Sequence, residues 1–171
     1  MPNNEAQMEV PDEYLREIGR FIVCWNSLEH MIEAALIIAL SGKTQDPDGR
    51  ATAVFAHMAV DQKLNALEAM LRLIDKKPDG LGDIFKDTVR PLLEQSKDKR
   101  NGIIHHFWTG HNGVVHRSTI QARGKLKVVS TKVEIQELVE VSELVSKGRT
   151  ALQEFCLARL IPAMKTPQQG Q

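Results

Sequence analysis

Aromatic side chains are scarce in this chain. Five Phe, two Trp and one Tyr make up 5% of its 171 residues, which argues for packed helices and against a β-sandwich, whose strands draw on such residues. Cysteine is scarcer still. Cys24 and Cys156 lie far apart, each within an apolar helical pattern, so a disulfide scaffold is excluded and buried, reduced thiols in a cytosolic protein are expected. Net charge is missing too: 22 basic and 22 acidic residues cancel, which removes the simplest argument for a nucleic-acid protein, a high overall pI. The most apolar run, Met31 to Leu40, is too short to span a bilayer and contains Glu33. The opening MPNNEAQMEV lacks the charged-then-apolar layout of a signal peptide. A cytoplasmic location without membrane association is therefore expected. Neither a glycine-rich phosphate loop, a nucleophile elbow nor paired catalytic carboxylates can be identified. His105, His106, His111 and His116 match no standard zinc spacing and have no cysteine nearby, so neither metal nor cofactor is expected.

What remains is an ordinary globular composition, 42% hydrophobic and 26% charged, in a chain long enough to bury one core unaided. A single domain over residues 1–171 is expected, with its core at about 11–160 and a disordered tail from Lys165 to Gln171. Tyr14, Ile18, Phe21, Ile22, Trp25, Leu28, Ile32, Leu36 and Leu40 recur at steps of three and four, predicting an amphipathic helix from Pro11 to Leu40 ended by Ser41-Gly42. A second helical region covers Ala51 to Ile74, where Asp61 offers a fresh start and hence two pieces. A third runs from Leu81 to Ile104, with Pro91 expected to kink or break it near Val89 to Pro91. After Trp108, Thr109 to Gly113 reads as a loop, and Val114 to Ile120 with Leu126 to Val129 as a β-hairpin turning at Arg123-Gly124. Thr131 and Glu134 match a capping box for a last helix reaching about Leu160, before Pro162. The expected fold class is mainly α: a four- to five-helix bundle with a small β-hairpin inserted before the last helix.

Charge is unevenly spread. Met1 to Leu40 carries seven acids against Arg16 and Arg20. Lys97 to Lys132 carries eight Lys and Arg residues and four of the six histidines against one acid, Asp98. Such asymmetry steers a polyanion to one face of a neutral protein, or equally describes a solvated basic hairpin.

Within the basic segment, KDKRNGIIHHFW places Arg100-Asn101 shortly before His105 and His106 at a probable helix end. Metal-free RNA cleavage needs a base for the 2′-hydroxyl, a cation for the pentavalent phosphate and an acid for the leaving 5′-oxygen. Histidine suits both proton transfers and arginine suits the phosphate. Asn101 and His105, four apart, share a helix face that Lys97 and Trp108 extend. Asn101 can orient the imidazole or contact phosphate, and two copies of the chain facing each other would complete a site. Lys97, His106, Trp108 and Arg117 are the further candidate substrate contacts. Spacing alone is weak, since Arg50 and His57 also satisfy it. At the same helix end, Arg and His can simply bind free carbonyls and the negative dipole end. Trp25 and Glu29, four apart on the first helix, read either as a site in which Glu29 is an acid facing the basic segment or, in preference, as a core residue and an acid that pairs with a buried or rim cation.

These residues resemble the HEPN superfamily, whose motif is an Arg, usually followed by a polar residue such as Asn, and then a His after four to six intervening residues. Arg100, Asn101 and His105 match it with four, and His106 with five. Trp25-Asn26-Ser27-Leu28-Glu29 in the first helix, the motif near the end of a later helix, a hairpin and a final helix extend the likeness over about residues 11–160. The tyrosine that some relatives carry after the histidine is replaced by Phe107 and Trp108. The resemblance implies a helical bundle that dimerises with both motifs lining a shared cleft, and metal-independent endoribonuclease activity, often in toxin–antitoxin or anti-phage systems. Arg100 would be the phosphate ligand, Asn101 the polar organiser and His105 the general acid or base. It equally accommodates catalytically silent members that act as dimerisation or interaction modules for a partner protein or antitoxin.

Overall fold

The computed structural model describes residues 10–165, apart from 112, 124 and the side chains of 121–126. Helix α1 spans Asp12–Ser41. Pro11 precedes it with extended backbone, and Gly42 closes it in the left-handed conformation (φ 69°), its N–H donating to the Ile38 carbonyl at 2.8 Å. That backbone is easy for glycine and strained for other residues. Tyr14, Phe21, Trp25, Leu28, Ile32, Leu36 and Ala39 form the buried stripe. Ile22 and Leu40, expected on that stripe, are exposed instead, because each falls to one side of the 3.6-residue line.

The apolar run Met31 to Leu40 is thus only part of a 30-residue helix, and its shortness does not exclude a span. By length and apolar content α1 would suffice to cross a membrane; here 44% of its most apolar window is buried inside the fold, packed against α3 and α6.

The region after α1 is in two pieces, α2 (Arg50–Phe55) and α3 (Val60–Ile74). The start of α3 is held by Gln62, whose Oε1 accepts from the Ala59 N–H at 2.8 Å. Helix α4 (Leu81–Ile84) passes through a π-helical turn, Phe85–Val89, into α5 (Arg90–Ile104). The last helix repeats this arrangement: α6 (Ile135–Phe155), a π-helical turn at Cys156–Leu160, and α7 (Ile161–Lys165). Each widened turn ends two residues before a proline, Pro91 or Pro162. A proline has no N–H to donate, and its ring clashes with the carbonyl four residues earlier. In both cases that carbonyl, of Asp87 or Ala158, lies inside the π turn, where the ladder has moved to Arg90 N–H···Phe85 O and Ile161 N–H···Cys156 O. The wider turn absorbs the proline without ending the helix. The last helix therefore runs past Leu160 and Pro162 and takes in Lys165, which was assigned to the tail; residues 166–171 lie outside the described residues. The first π turn lies against the end of α6, with the Phe85 and Phe155 rings 5.8 Å apart.

Between α5 and α6 the chain builds a three-stranded antiparallel sheet, not a simple hairpin. Its strands β1 (Phe107–His111), β2 (Val114–Arg123) and β3 (Lys125–Val133) lie in sequence order. Thr109, Gly110 and His111, expected in a loop, are strand residues paired with His116, Val115 and Val114; Asn112 lies outside the described residues. Thr131 does not cap α6. It pairs with Arg117 inside β3, and Glu134 occupies the cap position without a side-chain bond. Cross-strand burial decides this, since continuing β3 to Val133 places that side chain opposite Val115 in the core. Tyr14 Oη donates to the Val133 carbonyl at 3.2 Å and ties the sheet to the start of α1.

The architecture is mainly α, with one core shared by α1, α3, α5 and α6 and by the inner face of a small sheet. Helices α5 and α6 approach closely at Gly148, where an added Cβ would stand 3.3 Å from Leu93 Cδ2 and from Ser96 Oγ.

Candidate functional site

Arg100 lies one turn before the C-terminal end of α5, and His105 is the residue on which the helix closes (φ −95°, ψ 17°), its N–H reaching the Asn101 carbonyl at 3.4 Å. Leaving the helix there brings the imidazole back beside Arg100, with Arg100 Nη1 2.9 Å from His105 Nε2. Arginine has donors only. For this contact to be a hydrogen bond Nε2 must accept, which selects the tautomer with its proton on Nδ1. The same Nη1 donates to Asn101 Oδ1 at 3.2 Å. Helix spacing pairs Asn101 with His105; the longer fork of Arg100 joins both. His106 is not part of this cluster, and its Nδ1 is buried without a hydrogen-bond partner.

Beneath Arg100 lies α1. The guanidinium carbon is 5.7 Å from the centroid of the Trp25 ring, within cation–π range. Trp25 is buried, and its Nε1–H donates to Glu29 Oε2 at 3.1 Å. The other Glu29 oxygen lies 3.3 Å from Lys63 Nζ, which also reaches Glu33 Oε1 at 2.7 Å. Lys63 is only 2% exposed. Its ammonium is therefore compensated by two carboxylates of α1, and a polar relay runs His105–Arg100–Trp25–Glu29–Lys63–Glu33 across α5, α1 and α3. The sequence alone implies no more than some cation as the partner of Glu29. Its signal was present in α3, where Lys63 interrupts the apolar repeat Val60, Leu64, Leu67, Leu71 at a core-facing position.

Three other candidate contacts are engaged elsewhere. Lys97 Nζ binds Asp61 Oδ1 at 2.6 Å, and this hydrogen bond raises its pKa above the usual lysine value. Arg117 Nη1 binds Glu137 Oε1 at 3.0 Å, although its guanidinium also lies over the end of α5, where a Cβ on Gly102 would stand 3.6 Å from it. Trp108 does not extend a helical stripe, because α5 ends at Ile104 and Trp108 belongs to β1. Its Nε1–H caps the helix instead, donating to the Ile103 carbonyl at 3.0 Å. Arg50, the decoy of the spacing argument, is paired with Asp48 at 3.2 Å. Among the described residues no three His, Cys, Asp or Glu side chains group as metal ligands. Cys156 is buried, and desolvation pushes its thiol up to about 11; Cys24 is half-buried, and both thiols are free.

The fold and the site define a mainly α protein in which exposed Asn101 and His105 meet a half-buried Arg100, its Nε buried without a partner, where α5 joins a small sheet. Compared with models of protein families, with curated proteins and with solved structures, the chain finds no match.

Proposed function

We propose that this protein is a HEPN-like, metal-independent endoribonuclease that acts as a homodimer, in the manner of toxin–antitoxin or anti-phage nucleases. The observation that carries the proposal is the 2.9 Å contact between Arg100 and His105 at the end of α5, with the half-buried Arg100 guanidinium over the Trp25 ring. A phosphate oxygen that takes the Nη1 donor leaves the Nε2 lone pair free. His105 then removes the 2′-hydroxyl proton, O2′ attacks phosphorus, and the guanidinium stabilises the pentavalent charge. The P–O5′ bond breaks and O5′ takes a proton, giving a 2′,3′-cyclic phosphate and a 5′-hydroxyl. One chain brings one histidine to this cluster, so the second proton-transfer group is supplied by a second copy.

A second reading is favoured by the engagement of Lys97 with Asp61 and of Arg117 with Glu137: a non-catalytic HEPN-like module that regulates a partner protein or antitoxin. Incubating the purified protein with labelled RNA in EDTA separates the two. Cleavage by the wild type that falls about 10²- to 10⁴-fold in His105→Ala, and comparably in Arg100→Ala, supports the nuclease. Intact RNA, or equal cleavage by the variants, refutes it in favour of the module.

A further inference from the structure

The loop that follows α1 and the closing helix α7 form a cleft of about 440 Å³, a volume within the range of small-ligand sites, about 300–1,000 Å³. Gly42, Pro47 and Ile161 line it together with four polar residues, Lys43, Thr44, Gln45 and Lys165. Gly42 follows Trp25 by 17 residues, which at about 1.5 Å per residue separates the cleft from Trp25 by roughly 25 Å along α1. It is therefore a different place from the Arg100 cluster.

The loop is held in shape by its own hydrogen bonds. The Lys43 N–H donates to Ser41 Oγ at 3.2 Å, the Gly49 N–H to the Asp46 carbonyl at 3.1 Å, and the Thr52 N–H to Asp46 Oδ2 at 2.8 Å. Gly42 stands against α7, where an added Cβ would lie 3.4 Å from Met164 Cε. These bonds also sort the charges. Neither acid of the loop lines the cleft, because Asp46 is engaged by the start of α2 and Asp48 by Arg50 at 3.2 Å. The two lysines that do line it are exposed and have no ion pair among the described residues, and the side chains of Thr44 and Gln45 have no hydrogen bond there.

Two helix ends oppose an anion at this place, since the last carbonyls of α1 and α7 each carry about half a negative charge. Two ammonium groups on flexible stems exceed that by about one positive unit, so the cleft attracts an anion. A planar guanidinium fork suits a carboxylate. Two ammonium groups, a hydroxyl and a carboxamide are separate donors that approach from different directions, which suits the several oxygens of a phosphate group. Pro47 and Ile161 offer apolar surface to the rest of such a molecule.

We propose that this cleft binds a small organic phosphate, with Lys43 and Lys165 on the phosphate group and Pro47 and Ile161 against the organic part. The inference goes beyond the ribonuclease reading and does not depend on it. The test is isothermal titration calorimetry on the full-length protein, both wild type and Arg100→Ala, which lacks the phosphate ligand of the other site. The probes are AMP, ribose 5-phosphate, adenosine and inorganic phosphate. Both esters should bind both proteins, and adenosine should bind neither. Lys43→Gln and Lys165→Gln, made at exposed positions without structural partners, should each weaken the esters about tenfold or more, and Lys43→Arg should keep most of the affinity. If neither ester binds, or if both lysine variants bind them as the parent does, the site is overturned. Inorganic phosphate as tight as the esters means a bare-anion site and refutes the organic ligand. Ester binding that Arg100→Ala abolishes belongs to the Arg100 cluster, and the cleft is then refuted while the nuclease reading gains.

Discussion

Lys63→Met isolates the relay beneath the candidate site. Methionine keeps most of the aliphatic stem and volume of a side chain that is 2% exposed, so little packing is lost. What disappears is the ammonium between Glu33 at 2.7 Å and Glu29 at 3.3 Å. Removing one partner from a fully buried ion pair costs about 3–5 kcal/mol, because the remaining charge is left uncompensated. Here the carboxylate side chains keep 33% and 17% of their exposure, so water recovers part of that, and about 2 kcal/mol is expected. In a domain of this size such a loss lowers Tm by roughly 4–8 °C. Urea unfolding at neutral pH should show a lower midpoint with an unchanged slope, the mark of lost stability without a change in compactness. Adding Glu29→Gln and Glu33→Gln removes the stranded charges and should restore about half of the loss or more. If Lys63→Met costs less than about 0.5 kcal/mol, or if the triple variant is no better than the single one, the charges are not what the cluster contributes and the reasoning is wrong.

Cys156 predicts a pH dependence. Its thiol is raised from the ordinary 9.0 to about 11 by burial, so the folded state holds the proton more tightly. This contribution is fully present below about pH 9 and is lost as pH rises through about 11. A difference of that size corresponds to about 2–3 kcal/mol, and chemical denaturation at pH 8 and pH 10.5 should show a steeper decline for the wild type than for Cys156→Ala. Trp108→Phe removes the cap on the Ile103 carbonyl and should cost about 1 kcal/mol in thermal or urea unfolding. An unchanged midpoint would mean that the carbonyl is satisfied without the indole.

The helices were largely legible because their information is local. Pro11, Gly42 and the apolar steps of α1 reproduce its ends to within a residue. The fresh start near Asp61 corresponds to the observed break between α2 and α3. Where local rules failed, a longer-range contact had outweighed them. Phe107 to His111 is short and contains a glycine, so only its pairing with β2 makes it a strand. Thr131 has capping chemistry, but burying Val133 against Val115 keeps it in β3. Pro162 ordinarily stops a helix, but here a preceding π turn carries the chain past it.

The sequence by itself determined the helical periodicity, the basic segment from Lys97 to Lys132 with its single acid, Asp98, and the proximity of Arg100 to two histidines, all properties of spacing along one chain. Only the tertiary structure decided that His105 rather than His106 meets Arg100, because that depends on how the backbone turns as it leaves α5. It also decided which cations are left for a ligand. Ion pairing acts over a few ångströms, and Asp61, Glu137 and Glu29 find Lys97, Arg117 and Lys63 from 36, 20 and 34 positions away. Sequence spacing carries no record of such distances until the helices are packed.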